Sequence, residues 1–211
     1  MSFYFHKTPT WLEKLYSELI WGKDSNQKNI YLTFDDGPIP EVTEYVVNQL
    51  HEFQAKATFF CVGDNIDKHP LEFDKLLNEG HTVANHTYHH LNGWKTETSR
   101  YTDDVSQCQL SIDNRAGSQG TKLFRPPYGK ISRKQIKAMK SEYEIMMWSY
   151  LTGDFDQSLQ QEKCLQLALN IVDGGDIVVF HDHVKSYHHL QFTLPTFLYH
   201  FTELGFEFKS L

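Results

Sequence analysis

The stretch Ile30-Tyr31-Leu32-Thr33-Phe34-Asp35-Asp36-Gly37-Pro38 runs from apolar residues into two adjacent carboxylates and stops on Gly-Pro. Bulky and β-branched side chains followed by turn residues predict a buried strand over 30–34 that opens into a sharp turn. Outward from it the same alternation continues. Short apolar runs predict strands over 57–62, 81–85, 122–124, 144–148, 176–180 and 206–209, and segments of helical period predict helices over 41–53, 71–78, 102–115, 132–140, 159–172 and 191–204. Gly80, Gly117, Gly174 and Gly205 fall just past four of these helices, where a residue able to take positive φ usually ends one. Seven strands, each preceded or followed by a helix, imply a parallel α/β arrangement, either an open sheet or a small incomplete barrel.

Unusual polar residues fall at the carboxyl ends of these strands. Asp35 and Asp36 follow Phe34, His86 follows Asn85, Arg125 follows Phe124, His181 follows Phe180, and Asp154 lies a few residues beyond Trp148. Parallel α/β folds place ligands and chemistry at that end. A single Asp before Gly-Pro is ordinarily a turn carboxylate. Two adjacent carboxylates repel in a partly buried site unless a cation compensates, which points to a metal on one and a base in the other. His86 and His90 are four residues apart, so one turn of helix would project both imidazoles from one face, with His89 facing elsewhere. With Asp36 they offer two nitrogens and one oxygen, the catalytic zinc pattern that leaves a position for water and also the donor set of a non-haem iron centre. Two prolines after Arg125 fix its relation to Tyr128. His181 emerges from the most apolar strand and is a general-acid candidate, with Asp182 and Asp154 as possible carboxylate partners; His183, His188 and His189 read as solvated loop residues.

At 211 residues the chain has room for one sizeable core, and its 40% apolar and 22% charged residues are those of a globular protein. A net charge of -7, with Lys and Arg scattered, lacks the footprint of a nucleic-acid binder. Cys61, Cys108 and Cys164 are far apart, with no CxxC pair, and allow at most one disulfide. No stretch is apolar enough to span a bilayer. Residues 1–29 are expected to contribute an amphipathic helix over 10–21, with Trp11, Leu12, Leu15, Leu19 and Ile20 near one face, packed on a catalytic domain of residues 30–211.

Taken in order, these segments resemble the polysaccharide deacetylase family, the NodB-homology domain of carbohydrate esterase family 4. Thr33-Phe34-Asp35-Asp36-Gly37-Pro38 matches the family's first motif, His86-Thr87-Tyr88-His89-His90 its His-Ser/Thr-x-x-His second, and Arg125-Pro126-Pro127-Tyr128 its Arg-x-Pro-Tyr third. The resemblance, from about Tyr31 to the end of the chain, implies a single-domain distorted (β/α)7 barrel. It also implies a divalent metal, usually zinc, on Asp36, His86 and His90, with Asp35 as general base and His181 as general acid. By the same resemblance Arg125 holds Asp35, Asp154 orients His181, and the backbone N–H of Tyr128 helps receive the oxyanion. The fourth motif, usually Asp-x-x-Asp-Trp, departs here: Leu151 replaces the first acid and Phe155 the Trp, while Asp154 is kept. Val179 stands where the fifth motif usually has Leu, two residues before His181.

The activity so implied is metal-dependent removal of N-acetyl groups from a GlcNAc-containing glycan of the chitooligosaccharide or peptidoglycan type. An O-acetyl esterase on acetylated xylan and a catalytically silent metal-containing glycan-binding protein are the alternatives. The partner is then an acetylated carbohydrate rather than nucleic acid. Charges interrupt the N-terminal apolar run before it reaches signal-peptide length, so the expected location is cytoplasmic, with export by another route left open.

Overall fold

The first strand, β1 (Asn29–Asp35), is buried along almost its whole length, because it pairs on both sides and is covered on both faces. The computed structural model describes residues 4–211, so that Met1, Ser2 and Phe3 of the N-terminal run lie outside the described residues. In chain order the helices are α1 (Thr10–Leu15), α2 (Val42–Glu52), α3 (Gly63–Lys68), α4 (Pro70–Asn78), α5 (Thr98–Ala116), α6 (Arg133–Met139), α7 (Gln161–Ile171) and α8 (Tyr187–Glu203). The other strands are β2 (Thr58–Cys61), β3 (Thr82–Asn85), β4 (Leu123–Phe124), β5 (Glu144–Ile145), β6 (Tyr150–Leu151), β7 (Ile177–His181) and β8 (Glu207–Lys209). All pairings between strands are parallel, in the order β5-β4-β3-β2-β1-β7-β6, with β8 paired to the start of β1. The sheet curls into a half-barrel, the single-domain α/β arrangement that the sequence implies.

The pleat sorts the residues of the central strands into two rows. Phe34 is in register with Phe59 on β2 and Phe180 on β7, and the three rings stack at centroid distances of 5.1 and 5.7 Å. This row faces the helices, where Val46 and Leu50 of α2, Phe73 of α4, Ile112 of α5 and Phe197 of α8 complete the main core. The next row, Asp35 with Phe60 and His181, faces the opposite side, because side chains alternate along a strand. A base candidate and an acid candidate are thereby set side by side on adjacent strands. The core row holds the site row in place.

Of the predicted strand over 144–148 only Glu144–Ile145 is strand, and the next one, β6, begins at Tyr150 on the opposite edge of the sheet. The chain breaks there because the carbonyls of Met146 and Met147 turn inward to accept from Arg125. The predicted helix over 10–21 is only six residues long and buries none of them. Backbone pairing takes over beyond it. Ile20 donates to the Ile145 carbonyl and accepts from Met147 N–H, on the β5 edge, while His6 accepts from Leu151 N–H and Thr8 donates to Ser149 O on the β6 edge. One strap thus pairs with both open edges of the half-barrel. Helix α3 escaped the sequence reading because six residues carry too little periodicity. Three of the four predicted end glycines, Gly80, Gly117 and Gly205, do have positive φ; after α7 it is Gly175, not Gly174, that does. All three cysteines are buried free thiols. His189 is buried, with Nε2 2.8 Å from the Leu159 carbonyl, rather than solvated.

Replacing Phe34 by Ala removes the central ring of the stack, and a drop of about 3–5 kcal/mol in unfolding free energy is expected from urea titration.

Candidate active site

The site is assembled from the carboxyl ends of β1, β3, β4, β6 and β7. Asp36 follows β1 with φ 85°, a left-handed conformation that breaks the strand's alternation, and its carboxylate, like that of Asp35, acts on His181. His86 and His90 are not on a helix. They flank a loop in which Thr87 (φ 63°) and His90 (φ 54°) are both left-handed, and this loop, not helical spacing, brings the imidazoles together. Asp36 Oδ1 lies 3.6 Å from His86 Nε2 and 3.0 Å from His90 Nε2, and the three donor atoms fall within 4.8 Å of one another. Burial opposes ionisation of Asp36, but the two histidines outweigh it and hold the carboxyl well below the usual carboxylate range.

This donor set fits a divalent metal. His86 Nδ1 is 2.8 Å from the Arg125 carbonyl, which can only accept, so the Nδ1 proton is fixed and Nε2 is left with its lone pair toward Asp36. His90 Nδ1 is 3.1 Å from Tyr128 Oη, which orients the ring. Three ligands of this kind leave coordination positions open.

Asp35 is almost fully buried and accepts from Arg125 Nη1 at 2.7 Å. The guanidinium is completely enclosed. It also donates to Thr33 Oγ1 (2.7 Å), Met146 O (3.3 Å) and Met147 O (3.0 Å), and its plane lies 4.0 Å from the Phe60 ring centroid. On the other side of Asp36, His181 Nδ1 is 2.7 Å from Asp154 Oδ1, and its backbone N–H donates to Asp154 Oδ2, also at 2.7 Å. Burial disfavours the His181 imidazolium, yet Asp154, with Asp36 and Asp35 beyond, overrides this and raises its pKa to about 9. Phe155, which stands for the motif Trp, packs its ring edge-on against His181 at 5.1 Å. Tyr128 has φ 61° and is 60% exposed at the rim. All eight residues singled out in the sequence therefore converge on one region, five of them around the carboxylate-histidine cluster through direct hydrogen bonds or ion pairs.

One buried carboxylate, Asp104, escaped the sequence reading, and another, Asp182, has a role other than the one considered for it. Asp104, on α5, accepts from the backbone N–H groups of Tyr88 (2.8 Å) and His89 (3.0 Å) and pairs with His89 Nδ1 at 2.6 Å, pinning the loop between the two histidines. Its signal was an acid on the inward face of a predicted helix. Asp182 does not partner His181. It accepts from Gly37 N–H at 3.0 Å and Thr43 Oγ1 at 2.6 Å, and a Cβ on Gly37 would lie 1.9 Å from its Oδ2, so only glycine lets the turn after Asp36 seat on it. Burial, only partly offset by those two donors, pushes the Asp182 carboxyl up to about 8.

Fold and site together define a class: a curled parallel α/β protein in which a carboxylate-bis-histidine cluster is flanked by an arginine-held aspartate and an aspartate-held histidine. Residues 22–145 match the polysaccharide deacetylase family. The chain belongs to that family. It is 37% identical over 147 residues to a peptidoglycan-N-acetylglucosamine deacetylase of Bacillus cereus, an alignment covering 69% of this chain and 52% of the relative, so the chain spans about half of that relative's length. A chitooligosaccharide deacetylase of Azorhizobium caulinodans is 31% identical over 158 residues, 74% of this chain and 75% of that one. The crystal structure of a peptidoglycan N-acetylglucosamine deacetylase in complex with an N-hydroxybenzamide bearing a naphthalene superposes with a TM-score of 0.85 at 30% identity, over 96% of this chain and 94% of that one.

In Asp154→Asn the His181 imidazole is expected to titrate well below its present value of about 9, as followed by NMR of the ring carbons. The stabilisation from the pair is full below about pH 6.5 and fades as pH rises through about 9, so the variant should lose stability most at acid and neutral pH and least at alkaline pH. Asp104→Asn is expected to loosen the loop between His86 and His90 and so weaken divalent-metal binding, measured by competition with a chromophoric chelator.

Proposed function

We propose that the protein is a metal-dependent N-deacetylase acting on a GlcNAc-containing glycan of the peptidoglycan or chitooligosaccharide type. The observation that carries this reading is the joining of the Asp36-His86-His90 cluster with Asp35 and His181, which are in register on adjacent strands and each locked by its own buried partner. The relatives named above, peptidoglycan and chitooligosaccharide deacetylases, support the choice of substrate class.

Asp36, His86 and His90 would hold the metal, most suitably zinc given two imidazoles and one carboxylate. When bound, it supplies Lewis acidity that lowers the pKa of a water and polarises the acetamide carbonyl. The residues of the chain do the rest. Asp35, oriented by the Arg125 guanidinium, takes a proton from the attacking water. The backbone N–H of Tyr128 helps receive the charge that develops on the carbonyl oxygen. His181, whose Nδ1 is engaged by Asp154, presents Nε2 to the departing amine and protonates it as the C–N bond breaks, releasing acetate and the free amino sugar. A pKa of about 9 keeps that proton in place at neutral pH.

Asp35→Asn keeps the three metal donors and removes the base. Acetate release from chitooligosaccharides and peptidoglycan fragments is expected to fall by about 10²–10⁴-fold while zinc stays bound. Undiminished turnover would overturn the assignment, and faster release from acetylated xylan than from either N-acetylated substrate would move the enzyme to the O-acetyl esterases.

A further inference from the structure

Beside the cluster lies a second feature that the hydrolytic chemistry does not use. The N-terminal strap, α1 and the segment following Arg125 enclose a groove of about 390 Å³, lined largely by apolar groups that include Leu12, Leu15, Leu19, Met147, Trp148 and Leu151. That volume is within the range of small-molecule sites. The groove is continuous with the reacting centre through Tyr128, which lines it and whose hydroxyl lies 3.1 Å from His90 Nδ1. Leu151, the residue that breaks the fourth motif, forms part of its wall and puts a hydrocarbon where an acid would otherwise stand.

What the groove could bind follows from where its polar atoms point. Thr8 Oγ1 donates to the Trp148 carbonyl (2.7 Å), Trp21 Nε1 to the Tyr16 carbonyl (3.0 Å) and Trp94 Nε1 to the Ile131 carbonyl (3.2 Å). Tyr4 Oη is directed to Asp156 at 3.1 Å, and Tyr128 Oη to His90. Five of the wall's hydrogen-bonding side chains are thus engaged within the protein, leaving the Tyr16 hydroxyl and the Trp148 indole N–H. A sugar ring drawn into the groove would give up water around its hydroxyls for an apolar wall with most of its donors already spent, which is costly. An alkyl chain loses nothing there and gains the burial of its methylenes.

We propose that the groove binds the alkyl chain of an amphiphilic acetylated glycoside, whose sugar is presented to the Asp36-His86-His90 cluster past Tyr128. The proposal rests on the deacetylase reading for the sugar, but not for the chain. Each buried methylene adds about fourfold in affinity, so a tail of several carbons dominates recognition.

The test compares acetate release from methyl and octyl N-acetyl-β-glucosaminides by the zinc-loaded protein, below the micelle concentration, beside tryptophan-fluorescence titration with octyl glucoside, which carries no acetyl group. A KM at least tenfold lower for the octyl substrate at similar kcat, and a saturable fluorescence change with octyl but not methyl glucoside, are expected. In Leu12→Trp, which fills the groove, and Leu15→Asp, which sets a charge at its half-exposed wall, the octyl preference should shrink to within twofold while the methyl substrate is turned over as before. Equal KM values for the two glycosides, or a preference that survives both variants, would overturn the proposal. So would loss, in those variants, of activity on longer chitooligosaccharides with no octyl preference in the parent, because sugars would then be the occupant. If no acetate is released from either glycoside, the deacetylase reading fails, and the fluorescence titration alone then decides for or against the groove.

Discussion

A guanidinium with no exposure to solvent stands at the centre of this molecule. Arg125 spends its donors on Asp35, Thr33, Met146 and Met147 and lays its plane on Phe60, so one cation links β1, β2, β4 and the crossing from β5 to β6. A buried charge is tolerated only when it is paired and its remaining hydrogen bonds are met, and here both conditions hold. The cost is borne by the fold, and the return is local. Asp35 is fixed in orientation, the chain between β5 and β6 is bent inward, and the Arg125 carbonyl is left aimed at His86.

Around this cation the site distributes negative charge among several carboxylates that would repel one another if treated alike. Their surroundings set them apart. Asp35 has the arginine, Asp36 has two imidazoles, and Asp154 has His181. Asp182, with only neutral donors and no cation, is driven toward its protonated form. It therefore serves the turn at Gly37 without adding a charge to the cluster. Residues of one chemical type thus take four roles, and environment alone distinguishes them.

Much of this was legible in the sequence, and what was not has physical reasons. The strand carrying Asp35 and the one carrying His181 are long, apolar and sharply ended, so their period and their carboxyl ends stood out. The pairing of His86 with His90 was legible as spacing but not as mechanism, because a loop with two left-handed residues does the work that a helical turn was expected to do. The break after Ile145 was hidden, since Met146 and Met147 are as apolar as a strand requires and only the distant Arg125 claims their carbonyls. Asp104 was hidden for the same reason: its partners are backbone N–H groups 15 and 16 residues earlier in the chain, which no local pattern announces. The six-residue α1 shows how backbone pairing overrules amphipathic pattern, since Ile20 is worth more to an open sheet edge than to a helix face.

The strap that joins the two sheet edges has a temporal meaning. Residues 6–22 leave the ribosome well before their backbone partners at 145–151 and 175–176, so they wait unpaired while most of the sheet is synthesised. Their pairing spans more than a hundred residues and must come late in assembly, since long loops close slowly and at an entropic cost. Until then the half-barrel carries two bare edges, which are templates for association with another chain. A segment made before its partners is in this sense fitted after them, and the interval before it docks is when the nascent sheet is most exposed to misassembly.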